Sequence, residues 1–202
     1  NWGRACWALD LTHPEVLAWL REVFQTIVGA WGFDYLKIDF VYAGALRGVR
    51  HEPGVTGVEA YRRGLALIRE VAGDRFVLGC GAPFLPSLGL VDGMRVSPDT
   101  APDWDHADPQ GSAPSLKNAI RSTLAHHWMH GRWWANDPDC LIVRDRNTRL
   151  TEAEVRTWAT VVALSGGMVL LSDDLAALAP ARAAILARAL PPLGRAAEPH
   201  GP

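Results

Sequence analysis

The sequence predicts an α/β fold with parallel strands, the C-terminal portion of a (β/α)8 TIM barrel, and three observations lead to this prediction. Short apolar runs alternate with segments of helical periodicity, at spacings that require β-α-β crossovers and a parallel sheet. Nearly every run ends in an acid, a cysteine or a glycine, so one end of the sheet is polar, as at the active-site face of a barrel. No Gly-x-Gly-x-x-Gly follows any strand, which disfavours a doubly wound sheet.

The apolar runs and helical periodicities place each element along the chain. The predicted strands cover residues 7–9, 33–39, 76–78, 93–97, 133–135 and 168–171. The predicted helices cover residues 14–29, 58–71, 115–131, 151–162 and 180–190. Capping boxes formed by Thr12 with Glu15 and by Thr151 with Glu154 mark two helix starts. Because a full barrel has eight strands in about 250 residues, residues 1–202 are interpreted as one partial catalytic domain holding about strands 3–8, without the N-terminal strands.

Charge and cysteine content limit the classes of partner. The formal net charge of -2 and the lack of a Lys/Arg cluster predict no binding to nucleic acid or to an anionic membrane surface. No apolar run approaches the length of about 18 residues that suggests a membrane span. Cys6, Cys80 and Cys140 are odd in number and far apart, which argues against a disulfide framework and a Cys-x-x-Cys metal site and predicts a reducing, cytoplasmic compartment.

The run from Phe33 to Val41 is the stretch around which the predicted site is organised. It is apolar and aromatic except for charges that include Lys37 and Asp39, and burial of such groups in a parallel strand carries a desolvation cost that suggests chemistry. Lys37 and Asp39 face the same side of the strand, where the cation favours an ionised carboxylate. Asp99 follows a later strand, four residues after Arg95. Two such carboxylates suit glycoside hydrolysis, although acids at a barrel lip also bind metals or deprotonate substrates.

Four segments in the same order resemble motifs of one enzyme family. Residues 31–39 resemble the Gly-x-Asp-Tyr-Leu-Lys-x-Asp strand of the melibiase group, the α-galactosidases of glycoside hydrolase clan D. The other segments are similar to its Arg-x-x-x-Asp, Trp-Asn-Asp-Pro-Asp and Leu-x-Ser-Asn-Asp-Leu motifs and lie at residues 95–99, 134–139 and 170–175. The resemblance covers about 150 residues and implies a family 36-like enzyme that shares motifs with family 27.

The resemblance implies roles for four of the residues in these motifs. Asp39 corresponds to the nucleophile and Asp99 to the general acid/base, while Lys37 and Arg95 correspond to residues that contact the sugar. It implies cleavage of terminal α-galactosides by double displacement through a covalent glycosyl-enzyme, without metal or another cofactor. The carboxyl groups of such retaining enzymes lie about 5 to 5.5 Å apart. Cys80 resembles the cysteine of a sugar-contacting loop in the bacterial family 36 enzymes, although the segment departs from the Cys-x-x-Gly form.

Other polar and aromatic residues have two interpretations each. Trp104 suits either a sugar-stacking platform or packing, and Asp139, beside Asn136 and Asp137, suits either substrate binding or capping. Several imidazoles and acids could bind a cation: His126, His127, His130, Asp103, Asp105, His106 and Asp108. Three further acids suit turns or caps: Asp34, Asp173 and Asp174. For the three histidines, a helix face packed on the barrel exterior is the preferred interpretation, because no acidic partner has the required spacing.

Several functions therefore stay open at the level of sequence. The first is a retaining α-galactosidase whose partner is an oligosaccharide or glycoside, with homo-oligomer formation undecided. A clan D transglycosylase or α-N-acetylgalactosaminidase would use the same residues. The alternatives of another class are a metal-dependent barrel hydrolase, which would use His126 and His130 or the acidic loop after Asp99, and a non-catalytic fragment. The family's Asp-Asp-Gly-Trp segment, which contacts the sugar's 4- and 6-hydroxyls, has no counterpart in this sequence, so the sugar and the aglycone are not determined.

Overall fold

The computed structural model describes residues 7–106 and 113–198, and its chain divides into two compact units at Met94 and Arg95. Each unit combines helices with parallel strands, which confirms the predicted α/β class. The described part of the chain contains no helix with the length and apolar character needed to cross a membrane.

In the first unit, the described residues from Trp7 onward form three strands and three α-helices. Its strands are β1 (Tyr35–Ile38), β2 (Phe76–Gly79) and β3 (Gly93–Arg95), whose last residue begins the second unit. Its helices are α1 (Pro14–Gln25), α2 (Gly57–Ala72) and α3 (Phe84–Ser87), with a π-helical turn at Thr26–Ala30 and a 3-10 turn at Val41–Ala45. β1 and β2 pair in parallel from Tyr35 opposite Phe76 to Ile38 opposite Gly79, and Leu78 of β2 lies opposite Gly93 of β3. This register aligns the carboxyl ends of β1 and β2.

Helix α2 shows how local sequence sets an element of this unit. Thr56 and Glu59 form a reciprocal capping box at its start. One apolar stripe of the helix is buried, and its members are Tyr61, Leu65, Leu67 and Ile68. Burial of one such side chain stabilises a fold by about 1.5–3 kcal/mol. The stripe therefore holds the helix, and with it the loop that follows β1, against the rest of the first unit.

The second unit is built around α4 (Leu116–His126), α5 (Glu152–Ser165) and α6 (Pro180–Arg188). Its remaining elements are β4 (Ala135–Asp137), β5 (Cys140–Leu141), β6 (Leu170–Leu171) and 3-10 turns at His127–Met129 and Leu175–Ala177. β5 and β6 pair in parallel, and the N–H of Val96 donates to the carbonyl of Asp137 at 2.9 Å. Trp158 is fully buried in the core, where its indole N–H donates to the carbonyl of Cys140 at 3.0 Å.

The start of the chain differs from the prediction. Residues 7–9 do not form a strand, and Trp7 is 95% exposed. Thr12 does not cap α1, because its N–H and hydroxyl both donate to the Asp10 carboxylate. The N-cap is His13, whose Nδ1 accepts the N–H of Glu15 at 3.2 Å. An acid two residues before Thr12 therefore competes successfully for its hydroxyl.

The later elements differ in extent more than in kind. The capping box of Thr151 and Glu154 forms as predicted and begins α5. β4 lies two residues later than predicted, so Asn136 and Asp137 are strand residues rather than residues that follow a strand. The short strand β5 was not predicted, because two residues carry no periodicity. The predicted helix 115–131 is α-helical only to His126 and continues as the 3-10 turn.

Candidate active site

The carboxyl end of β1 carries the exposed side chains of Lys37 and Asp39. Oδ1 of Asp39 accepts the backbone N–H of Phe40 at 2.6 Å. Phe40 has a φ of 55°, in the left-handed region that a bulky residue seldom adopts. The backbone therefore turns sharply after Asp39 and fixes one oxygen of its carboxylate.

The segment that follows β2 packs against this turn. The N–H of Cys80 donates to the carbonyl of Ile38 at 2.8 Å, and the N–H of Tyr42 donates to the carbonyl of Gly81 at 2.9 Å. Gly81 has a φ of 49°, and a Cβ there would lie 3.0 Å from both Oδ1 of Asp39 and the nitrogen of Phe40. Only glycine fits here without displacing the carboxylate. Cys80 is buried beside the turn, and its predicted contact with a sugar stays a prediction.

In the second unit, Arg95 is a buried cation surrounded by three carboxylates. Its Nη1 donates to Oδ1 of Asp99 at 2.8 Å, and its Nη2 donates to Oδ1 of Asp139 at 2.5 Å. Its Nε lies 3.5 Å from Oδ2 of Asp137. The side chains of Arg95, Asp137 and Asp139 are 8%, 0% and 8% exposed, whereas that of Asp99 is 72% exposed. Asp99 is therefore the one member of this group that solvent or a substrate can readily reach.

Both carboxylate oxygens of Asp139 accept hydrogen bonds from the protein. Its Oδ2 accepts the N–H of Thr100 at 2.6 Å and its own N–H donates to Oδ1 of Asp137 at 2.8 Å. The neighbouring thiol of Cys140 is partly buried and close to the Asp139 carboxylate, and the two effects raise its pKa to about 11. Cys140 is therefore a neutral thiol near pH 7. The predicted contact of Asp139 with substrate stays a prediction, while the structure gives this residue a set of protein partners.

The polar loop after Asp99 is tied to the second unit by packing and ion pairs. Trp104 is half-buried against the core around Trp158, and its predicted stacking on a sugar stays a prediction. Asp103 pairs with Arg149, and the hydrogen bond from the guanidinium lowers the pKa of that carboxyl. Asp105 pairs with Lys117 at 2.7 Å. Asp108, also considered from the sequence, lies outside the described residues.

The histidines of the predicted helix have backbone partners. Nδ1 of His126 lies 2.8 Å from the carbonyl of Ser122, and Nδ1 of His130 accepts the N–H of Asn136 at 3.1 Å. Nδ1 of His127 lies 2.7 Å from the carbonyl of Leu124. Across residues 7–106 and 113–198, no three His, Cys, Asp or Glu side chains are grouped so that they could hold a metal ion.

The remaining predicted acids have local roles. Asp34 lies at the entrance of β1 and pairs with Arg75 at 3.4 Å, in keeping with the predicted turn residue. Asp174 caps the 3-10 turn at Leu175–Ala177. Asp173 is not a helix cap, because its buried carboxylate accepts the N–H groups of Val143 and Arg144, at 2.5 and 3.1 Å, and pairs with the Arg144 side chain. The sequence gives no local sign of these distant donors.

Sequence reasoning missed the role of Asp10. Its Oδ2 accepts the N–H of His51 at 2.6 Å, and Arg50 lies 3.7 Å from its Oδ1. Thr12 extends this contact by accepting the N–H of Glu52. The loop after the Asp39 turn is therefore fixed to the start of α1. The position of Asp10 directly after the apolar residues 7–9 is the sequence signal that could have indicated this role.

Comparison with known proteins identifies enzymes with similar structures. A scan against models of protein families found no match. TtGalA, the α-galactosidase of Thermus thermophilus in complex with stachyose, has 39% sequence identity and a TM-score of 0.82 over 94% of this chain and 41% of that chain. Its complex with p-nitrophenyl α-D-galactopyranoside gives 39% identity and a TM-score of 0.83 over 96% and 40% of the two chains. α-Galactosidase I of Mortierella vinacea, at 17% identity, has a TM-score of 0.60 over 81% and 44% of the two chains.

These likenesses confirm both the fold-class prediction, a portion of a (β/α)8 barrel, and the resemblance to the α-galactosidases. The comparison with the Mortierella enzyme bears on the fold alone. The chain spans about 41% of the length of the first Thermus thermophilus chain.

Proposed function

We propose that this chain, which resembles the α-galactosidases over nearly its whole length, carries the two catalytic carboxylates of a retaining hydrolase of terminal α-galactosides. The observation that supports this most is the 39% identity, over 94% of the chain, to the Thermus thermophilus α-galactosidase. The carboxylates predicted from the family motifs also have environments that suit two different tasks. The activity and the substrate of the whole protein belong to this proposal.

Asp39 is the proposed nucleophile. Oδ1 accepts the N–H of Phe40 at 2.6 Å, which orients the carboxylate, and we assign the attack on the anomeric carbon to Oδ2. The bond from that carbon to the leaving oxygen breaks as the bond to Asp39 forms, which gives a covalent glycosyl-enzyme. Lys37, which lies two residues earlier on β1, suits a contact with sugar hydroxyls.

Asp99 is the proposed general acid and base. In the first step its proton passes to the leaving oxygen, and in the second step the carboxylate takes a proton from the water that attacks the anomeric carbon. Two inversions at this carbon restore the starting configuration. Asp99 suits both steps because its exposed carboxylate is anchored at one oxygen by Arg95.

Replacement of the nucleophile tests this assignment in the complete protein. Asp39→Gly is expected to lower hydrolysis of p-nitrophenyl α-D-galactopyranoside by at least about 10³-fold, because no covalent intermediate can form. Added azide then enters the space left by the carboxylate and gives the β-galactosyl azide. Asp34→Gly, which removes an exposed acid five residues earlier, is the matched control and should hydrolyse the substrate like the unmodified protein. Undiminished hydrolysis by Asp39→Gly, or an azide of α configuration, would contradict the proposal.

A further inference from the structure

We propose that Asp139 and Asp137 are positioning residues for the general acid, acting through Arg95 and through the backbone that follows Asp99. This inference rests on the proposed function and extends it to two carboxylates that touch neither of the reacting atoms. Asp139 then acts on the acid and not, as the sequence suggested, as a ligand of the sugar.

Asp139 binds both the cation that pairs with Asp99 and the residue that follows Asp99. One of its oxygens accepts a hydrogen bond from Nη2 of Arg95, and the same guanidinium donates to the Asp99 carboxylate. The other accepts the N–H of Thr100 at 2.6 Å and its hydroxyl at 3.1 Å. The side-chain partner of Asp99 and the residue after it are thus fixed by one carboxylate. A displacement of about 1 Å at a reacting group can cost about 10²-fold in rate.

Asp139 is itself held in place by its backbone conformation and by Asp137. Its φ is 76°, a left-handed conformation that aspartate and asparagine adopt more readily than other side chains. Its N–H donates to Oδ1 of the fully buried Asp137 at 2.8 Å. The hydroxyl of Ser97 donates to the carbonyl of Pro138 at 2.7 Å, so the two segments are joined at a further point. Asp137 orients Asp139, which in turn orients Arg95.

The charge of Arg95 is balanced by carboxylates that are themselves buried. A lone guanidinium beside Asp99 would favour the ionised carboxylate, whereas a general acid must carry a proton before the leaving group departs. Asp137 and Asp139 supply two negative charges that compensate this cation. Cys140, a further titratable group beside Asp139, is a neutral thiol near pH 7, since burial and Asp139 raise its pKa to about 11. The two buried carboxylates therefore offset the charge of the cation that anchors Asp99.

The test is Asp139→Asn in the complete protein, which removes the charge but keeps the size and the left-handed preference. We measure kcat/KM against pH for two substrates, stachyose and p-nitrophenyl α-D-galactopyranoside. Poor acid catalysis harms an alcohol leaving group more than a nitrophenolate, so stachyose turnover is expected to fall by about 10²-fold and nitrophenyl release by less than about 10-fold. The alkaline limb of the profile is expected to move to lower pH. Asp174→Asn, at an exposed cap where asparagine serves equally well, is the matched control and should change neither quantity.

The outcomes separate this inference from the proposed function. If Asp139→Asn lowers kcat/KM equally for both substrates and leaves the pH profile unmoved, the role of Asp139 is purely structural and the inference is overturned. A kcat/KM and a pH profile of Asp139→Asn equal to those of the control Asp174→Asn would also overturn it. If Asp139→Asn fails to fold, Asp137→Asn, which keeps an oxygen for the Asp139 N–H, must move the alkaline limb in the same direction or the inference is wrong. An unmodified protein that cleaves neither substrate would instead contradict the proposed function, and this inference would fall with it.

Discussion

The turn after Asp39 depends on the lack of a side chain at a single residue. Gly81 lies so close to Oδ1 of Asp39 and to the nitrogen of Phe40 that a methyl group would have to displace one of them. Neither neighbour can yield at low cost, because the carboxylate is hydrogen-bonded to that nitrogen. Small movements of a nucleophile carry large kinetic costs, since the reacting atoms must be closely aligned.

Gly81→Ala is therefore expected to lower kcat for an α-galactoside by about 10- to 100-fold. Its matched control is Gly89→Ala, because Gly89 also has a positive φ, of 77°, but a Cβ added there would meet no atom of the described residues within 4 Å. Both variants should lose about 1 kcal/mol of unfolding free energy from backbone strain. Equal kcat values for the two variants would contradict the steric argument.

At the scale of elements, the loop after β1 is held to the start of α1 by Asp10. Burial opposes ionisation of this carboxyl, but the hydrogen bonds from His51 and Thr12 and the charge of Arg50 outweigh it, and the pKa lies below its ordinary 3.8. A group with a lowered folded-state pKa adds stability above its unfolded-state pKa. That stability is lost as the pH falls through the folded-state value.

Asp10→Asn is accordingly expected to destabilise the protein most above about pH 5, where the unfolded carboxyl is fully ionised. The difference in unfolding free energy from the unmodified protein should shrink as the pH falls below about 4. Urea denaturation at a series of pH values measures this difference. Asp174→Asn is a suitable control, since asparagine replaces aspartate at a cap with little cost. A difference for Asp10→Asn that is independent of pH would contradict the assignment of its hydrogen bonds.

At the scale of the whole molecule, the sequence predicted what depends on near neighbours. The capping box at Thr151 formed, and the stripe of α2 is buried, because both depend on residues within a few turns. β5 was missed because its two residues are too few to show a periodicity, so only their pairing with the distant β6 marks them as a strand. The partners of Arg95 were missed because Asp139 lies 44 positions later. Motif order pointed to the acids, but only the tertiary structure shows which donors hold them.

The central claim is that the carboxylate of Asp39 becomes covalently glycosylated during turnover. The most direct measurement is to incubate the complete protein with a 5-fluoro-galactosyl fluoride, which reacts to a long-lived intermediate, and to locate the label by peptide mass spectrometry. The account predicts one 5-fluoro-galactosyl label per chain, attached to Asp39. A label on Asp99 or another carboxylate, or turnover of galactosides without any covalent adduct, would contradict it.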